Sequence, residues 1–122
     1  QGTPWLQVNP NYTAINVESQ ENDPESVLSF YKKLISLRKN PEYKETLVYG
    51  DVIPYLEEQK NLMAYYRKGE KSLLVLGNFQ KDAQSVVLPS SSYKVLLNNC
   101  PATEISSGEI QMGGYQVLVL EL

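Results

Sequence analysis

The sequence has no histidine and a single cysteine, Cys100, among its 122 residues. Without histidine there is no Ser-His-Asp or Cys-His catalytic set and no imidazole metal ligand. One cysteine builds neither a zinc site nor an internal disulfide, which leans toward a reducing, cytoplasmic compartment. Glycine-rich phosphate loops and the calcium-loop pattern are absent too, so neither cofactor nor metal is expected. No apolar run approaches the roughly 20 residues of a membrane helix. Eleven basic against fourteen acidic residues give a net charge of -3 with no basic stripe, which argues against nucleic acid as a partner. The opening Gln1-Gly2-Thr3-Pro4 has neither the charged nor the apolar region of a secretory signal, and reads as the interior of a longer chain. The sequon Asn11-Tyr12-Thr13 is accordingly expected to be unused.

What is present is a soluble, globular composition, 42% hydrophobic and 20% charged, long enough for one domain with a real core. Residues 1–22 are polar and irregular, with Pro4 and Pro10 holding their predecessors extended and Asn9-Pro10-Asn11 marking a turn. Asp23-Pro24-Glu25 opens a helix: an Asx cap, a proline where its missing N–H costs nothing, and an acid at the positive end. Val27, Phe30, Tyr31, Leu34, Ile35 and Leu37 recur at helical spacing. Lys32, Lys33, Arg38 and Lys39 suit the negative end, and Asn40-Pro41 stops the helix. One amphipathic helix over 23–39 is therefore predicted, followed by a linker over 40–46.

Beyond Pro41 the period changes. Short apolar runs at 47–49, 62–67, 73–79, 85–88, 93–97, 109–112 and 115–122 are rich in Val, Leu, Tyr and Ile. Turn residues divide them: Gly50-Asp51, Lys68-Gly69-Glu70, Lys81-Asp82, Pro89-Ser90-Ser91, Asn98-Asn99, Ser107-Gly108 and Gly113-Gly114. Such punctuation predicts an antiparallel β-sandwich or barrel over 47–122, with a hairpin at Lys68-Gly69-Glu70.

Two residue classes are candidates for chemistry. Paired carboxylates serve glycoside hydrolysis when held about 5–9.5 Å apart. Glu57-Glu58 is the densest pair, but it sits in the polar turn Glu57-Glu58-Gln59-Lys60-Asn61, where a solvated loop explains it better. Glu18 and Glu21 cluster upstream with Asp23 and Glu25, the last two explained by the helix terminus. Aromatic faces stack on sugars, and there are nine tyrosines and one tryptophan. Adjacent Tyr65 and Tyr66 point to opposite faces of a strand, so at most one enters the core. Tyr93 and Tyr115 begin strands and are expected to pack. Trp5, in an irregular loop, is either a ligand-contact residue or an anchor pinning that loop.

At this point the residues match a known pattern. Pro4-Trp5-Leu6-Gln7-Val8-Asn9-Pro10-Asn11-Tyr12, then Ile15-Asn16-Val17-Glu18 and Gln20, resemble the PWL-x-VNPNY-x-x-INVE-x-Q stretch of oligo-1,6-glucosidases and related α-glucosidases. These are members of glycoside hydrolase family 13, the α-amylase superfamily. The similarity continues through Asp23-Pro24-Glu25-Ser26-Val27-Leu28, Phe30-Tyr31-Lys32-Lys33-Leu34-Ile35, Leu37-Arg38-Lys39 and Leu47-Val48-Tyr49-Gly50. It reaches Leu76-Gly77-Asn78-Phe79, Leu97-Asn98-Asn99 and the closing Val117-Leu118-Val119-Leu120-Glu121-Leu122. One departure is Cys100, where relatives often carry an aromatic residue.

The resemblance implies a catalytic (β/α)8 barrel followed by a Greek-key β-sandwich. A barrel needs about 250 residues, so only its end fits here. Residues 1–22 would be an irregular loop from the barrel's active-site side, 23–39 its last helix, and 47–122 the C-terminal sandwich. The nucleophile, acid/base and third aspartate motifs of the family do not occur in this sequence, so no catalytic residue carries over. Trp5 alone would belong to a substrate-side loop. The helix face Val27, Phe30, Tyr31, Leu34 and Ile35 would pack on the barrel, and without the barrel the chain is expected to hide this face by self-association, by swapping its N-terminal arm or by folding residues 1–22 over it. The parent would be a retaining α-glucosidase acting on α-1,6 or α-1,4 bonds of short oligosaccharides, and this part its structural closing piece. The rival reading is a carbohydrate-binding sandwich, which an exposed row of aromatics on one sheet face would support and scattered tyrosines would oppose. A stand-alone interaction domain is the third.

Overall fold

The computed structural model describes residues 2–100, 105–106 and 108–122. They form two compact units, Gln1–Lys33 and Leu34–Leu122.

The first unit is more ordered locally than its polar composition predicts. Pro10–Thr13 is a 3-10 helix capped by Asn9, whose Oδ1 accepts from the Asn11 amide at 3.2 Å. Helix α1, Val17–Glu21, starts at a capping box in which the Asn16 side chain accepts from the Ser19 amide at 2.8 Å and the Ser19 hydroxyl accepts from the Asn16 amide at 3.3 Å. Helix α2, Val27–Lys39, begins later than predicted. Asp23 spends its carboxylate on the Glu25 amide (2.9 Å) inside a turn, and Ser26 takes the capping role. Its Oγ accepts from the Ser29 amide at 3.2 Å and its carbonyl takes the first helical bond, from Phe30, at 2.9 Å.

The predicted linker over 40–46 and strand over 47–49 are together a helix, α3, Pro41–Tyr49. Asn40-Pro41-Glu42 both stops α2 and starts α3. Asn40 Oδ1 accepts from the Glu42 amide at 3.0 Å, Pro41 fills the first position, and Glu42 lies at the positive end. Gly50 closes α3 where the chain passes beside β2. A Cβ there would stand 2.5 Å from the Thr46 carbonyl oxygen and 2.7 Å from that of Lys68.

The strands that follow are β1 (Asp51–Pro54), β2 (Leu62–Lys68), β3 (Ser72–Asn78), β4 (Gln84–Val87), β5 (Lys94–Asn98), β6 (Ile105–Ser106), β7 (Glu109–Met112) and β8 (Val117–Glu121). They make an antiparallel five-stranded sheet, β1-β2-β3-β8-β5, and a three-stranded sheet, β4-β7-β6. The two sheets form a sandwich, as predicted. The hairpin at Lys68-Gly69-Glu70 joins β2 to β3 in the register Lys68↔Ser72. Strands β1 and β6 have no counterpart among the predicted elements. Tyr115 does not begin β8: it sits in the preceding turn at φ 55 with its side chain exposed. Ser107, half of a predicted turn, lies outside the described residues.

Alternation explains the core. Ala64, Leu74, Leu76, Leu118 and Leu120 of the larger sheet face Val86, Ile110 and Met112 of the smaller one, with Leu88 beside them. Leu74 pairs with Leu120 and Leu76 with Leu118, so one face is apolar across the central strands. The opposite face of the larger sheet is buried as well, at Leu73, Val75, Val119 and Leu97. That is the face α3 covers, through the buried Tyr43 and Thr46.

Candidate functional site

Each residue singled out in the sequence can now be placed. Glu57 and Glu58 are exposed in the turn after β1. Among the described residues, no group of His, Cys, Asp and Glu side chains is arranged to hold a metal ion. Cys100 is half-buried, its amide donating to Asn98 Oδ1 at 2.9 Å. Trp5 is 91% exposed, so it does not act as an anchor within this chain. Tyr65 and Tyr66 are both half-buried, and Tyr66 packs toward the core with its ring 5.2 Å from that of Tyr55. Burial pushes the Tyr66 phenol above its usual pKa, with Tyr55 adding to the shift. Tyr93 packs against the core as expected. The exposed aromatics, Trp5, Tyr12, Tyr31, Tyr49, Phe79 and Tyr115, lie on helices and loops. No described strand carries an exposed aromatic side chain, so the row that would mark a glucan-binding face is missing among the described residues.

The densest polar constellation was not singled out in the sequence. It gathers residues from α3, the β2–β3 turn, β5 and β8. Lys71 Nζ lies 2.7 Å from Glu121 Oε1 and 3.1 Å from Glu42 Oε1. The Tyr43 hydroxyl donates to Glu121 Oε2 at 2.9 Å and accepts from Lys94 Nζ at 3.0 Å. Both lysines stand over the Tyr43 ring, 5.8 and 5.7 Å from its centroid. Hydrogen bonds from Lys71 and then Tyr43 hold the Glu121 carboxyl below the usual carboxylate range. The Lys71 ammonium is held well above its usual range, chiefly by Glu121 and then by Glu42. Both oxygens of Glu121 are engaged, one by a cation and one by a hydroxyl. The arrangement is a brace between elements, and its central acid is not free to serve a substrate.

A second network ties the loops at one end of the sandwich. Asn78, buried at the end of β3, donates to the carbonyls of Asp82 (2.9 Å) and Gly113 (2.8 Å). Its Oδ1 accepts from the Gln80 amide (3.2 Å) and from Gln84 Nε2 (2.7 Å). Gln84 in turn accepts from Gln59, and the buried Gln116 links the Gly113 amide to Asn98. These contacts are all internal to the domain. Among the described residues, the broad unburied apolar surface with regular spacing is on α2, at Val27, Tyr31, Leu34 and Ile35.

Two family models match, one after the other. Residues 1–50 match the α-amylase catalytic domain, and residues 62–119 match the C-terminal domain of the α-amylase SusG. The chain belongs to the α-amylase superfamily. Among curated members of that superfamily it is 46% identical over 103 residues to the probable oligo-1,6-glucosidase 2 of Bacillus subtilis, covering 80% of this chain and 18% of that protein. It is 36% identical over 126 residues to the oligo-1,6-glucosidase of Bacillus cereus, covering 99% of this chain and 22% of that protein. Among solved superfamily structures, the trehalose-6-phosphate hydrolase of Bacillus licheniformis superposes with a TM-score of 0.85 at 36% identity, over 98% of this chain and 22% of that one. The isomaltulose synthase of Klebsiella sp. LX3 gives 0.86 at 31% identity, over 99% and 22%. The chain thus spans about a fifth of the length of the relatives it matches, and corresponds to the C-terminal part of an oligo-1,6-glucosidase or α-glucosidase.

Proposed function

We propose that the chain is the non-catalytic closing part of a retaining α-glucosidase that acts on α-1,6 or α-1,4 bonds of short oligosaccharides. One observation carries the reading: a catalytic-domain match over residues 1–50 followed by a C-terminal-domain match over 62–119, in a chain related to oligo-1,6-glucosidases. Retaining hydrolysis uses two carboxyl groups about 5–5.5 Å apart. Glu57 and Glu58 sit in an exposed turn, and Glu121 is consumed by its brace. The reacting carboxylates therefore belong to the rest of the longer protein. Within that protein, residues 1–22, with their two short helices, lie on the active-site side of the barrel, with Trp5 available to substrate, and α2 is the last barrel helix. The barrel covers Val27, Phe30, Tyr31, Leu34 and Ile35. The Bacillus relatives and the single cysteine favour a bacterial, cytoplasmic enzyme. Among the described residues no helix is long and apolar enough to cross a membrane.

Two assays test this. The chain alone is expected to leave p-nitrophenyl α-glucoside and isomaltose untouched. Turnover above buffer that disappears on Glu57→Gln or Glu58→Gln would overturn the non-catalytic assignment. Grafted in place of the matching segment of the Bacillus subtilis relative, the chain is expected to support isomaltose hydrolysis. A folded chimera with an intact barrel and no activity counts against the closing role.

A further inference from the structure

Helix α3 lies inside the segment that matches the catalytic domain, yet its contacts belong to the sandwich. Its first turn reaches β8 and the β2–β3 turn through Glu42, Tyr43, Lys71 and Glu121. Its middle holds two main-chain amides of that turn. Glu45 Oε2 accepts from the Glu70 amide at 3.1 Å, and Thr46 Oγ1 accepts from the Lys71 amide at 3.0 Å. Its last carbonyls are taken from the other side by β2: Arg67 Nη2 donates to Thr46 O at 3.4 Å and Leu47 O at 3.2 Å. The turn itself is shaped to receive the helix, since a Cβ on Gly69 would fall 2.5 Å from Glu45 Oε2 and 3.1 Å from Thr46 Cα. Beneath the helix, Leu73 is fully buried directly opposite Glu121 in the β3–β8 ladder.

The end of α2 is carried along. Only Asn40 separates α2 from α3. Its amide lies within hydrogen-bond distance of the Ser36 and Leu37 carbonyls, at 2.9 and 3.2 Å. Arg38 Nη1 donates to Leu47 O at 2.9 Å, the same carbonyl that Arg67 holds. This agrees with the division of the chain into compact units between Lys33 and Leu34.

We propose that α3 is a tether that makes residues 34–50 one cooperative unit with the sandwich, so that the mechanical boundary of the chain lies within α2 and not between the two family matches at 50 and 62. In the longer protein, on the reading above, the sandwich would then grip the last barrel helix directly, and motion between the two domains would be absorbed in the N-terminal half of α2. The segment 55–61 is not a hinge on this account.

Native-state hydrogen exchange on the 122-residue chain, at two concentrations so that protection through association registers as a concentration dependence, decides the matter. Amides 45–50 of α3 are expected to exchange at rates within about threefold of those in β3 and β8, and at least tenfold more slowly than amides 31–33 of α2. Glu121→Gln and Tyr43→Phe are expected to speed α3 and β8 by a common factor of about tenfold and to leave amides 31–33 unchanged. The tether is wrong if α3 in the unsubstituted chain exchanges as fast as amides 31–33, an outcome that needs no variant to fold. It is also wrong if the substitutions accelerate α3 alone. A failed chimera assay with this exchange pattern intact would instead count against the assigned role and leave the tether standing.

Discussion

Asn78 concentrates the structural role of single residues in this domain. Its carboxamide uses both of its hydrogens and receives two donors, from loop residues and the start of β4 that meet at one end of the sandwich. An unsatisfied buried polar group costs about 1–3 kcal/mol, and Asn78→Ala strands several at once. The expected loss is about 3 kcal/mol, read as a lowered urea midpoint at unchanged slope. Glu57→Gln, in an exposed turn, should shift the midpoint by less than about 0.5 kcal/mol. The sequence showed Asn78 only as part of Leu76-Gly77-Asn78-Phe79, a stretch shared with α-glucosidases. Its role as a hub was not legible because its partner Gly113 is 35 residues away. Trp5 shows a different limit: the sequence left it as either a ligand contact or an anchor of its loop, and its 91% exposure removes the anchor within this chain.

Elements were legible where one signal governed them. The strands carrying the core announced themselves by apolar runs and turn residues. β1 did not, because Asp51-Val52-Ile53-Pro54 is a short, exposed edge strand with no buried face to impose a pattern. Helix α3 was hidden for a different reason. Its start signal, Asn40-Pro41-Glu42, has the same form as Asp23-Pro24-Glu25, but it also serves as the stop of α2. Leu47-Val48-Tyr49 then looked like a strand, since β-branched and aromatic residues favour strands until tertiary contacts decide otherwise. Those contacts include Gly50, where alanine would drive a Cβ against two main-chain oxygens. Gly50→Ala is expected to cost about 2 kcal/mol by overpacking, measured as a drop in Tm. The brace at Glu121 gives α3 a pH dependence. Its carboxyl is depressed in the folded chain, so its stabilisation is fully present above the unfolded carboxylate pKa of about 4.3 and is lost as pH falls through the lower folded value. The Tm difference between the unsubstituted chain and Glu121→Gln should therefore be constant near pH 6–7 and shrink below about pH 4. A gap that persists unchanged at pH 3 would show that Glu121 acts through packing and not through its charge. The raised Lys71 works in the opposite sense, contributing below the unfolded lysine pKa of about 10.4 and fading as pH rises through its folded value.

At the scale of the whole molecule the deciding feature is the face of α2. Val27, Phe30, Tyr31, Leu34 and Ile35 spread over more of the helix than the stripe of about 100° that one supporting surface requires. None of α2 is fully buried, and Val27 and Tyr31 stand 67% and 59% exposed. A solvated helix face of this kind has no physical reason to be apolar. Each large side chain left in water forgoes roughly 1.5–3 kcal/mol of burial, and several together form a patch of the size that marks interfaces. In the longer protein we assign this face to the catalytic barrel. In the 122-residue chain by itself, the same driving force should act between copies. Sedimentation over a hundredfold range of concentration is expected to show reversible association, since one face buried against its like is an isologous contact. Leu34→Lys together with Ile35→Lys places two charges in that contact and should return the chain to a monomer at every concentration. The sandwich core lies elsewhere, so far-ultraviolet circular dichroism should stay unchanged. A chain that sediments as a strict monomer at the highest concentration would show that the exposed face is too small to drive association, and the assignment of this surface to a partner would lose its energetic basis.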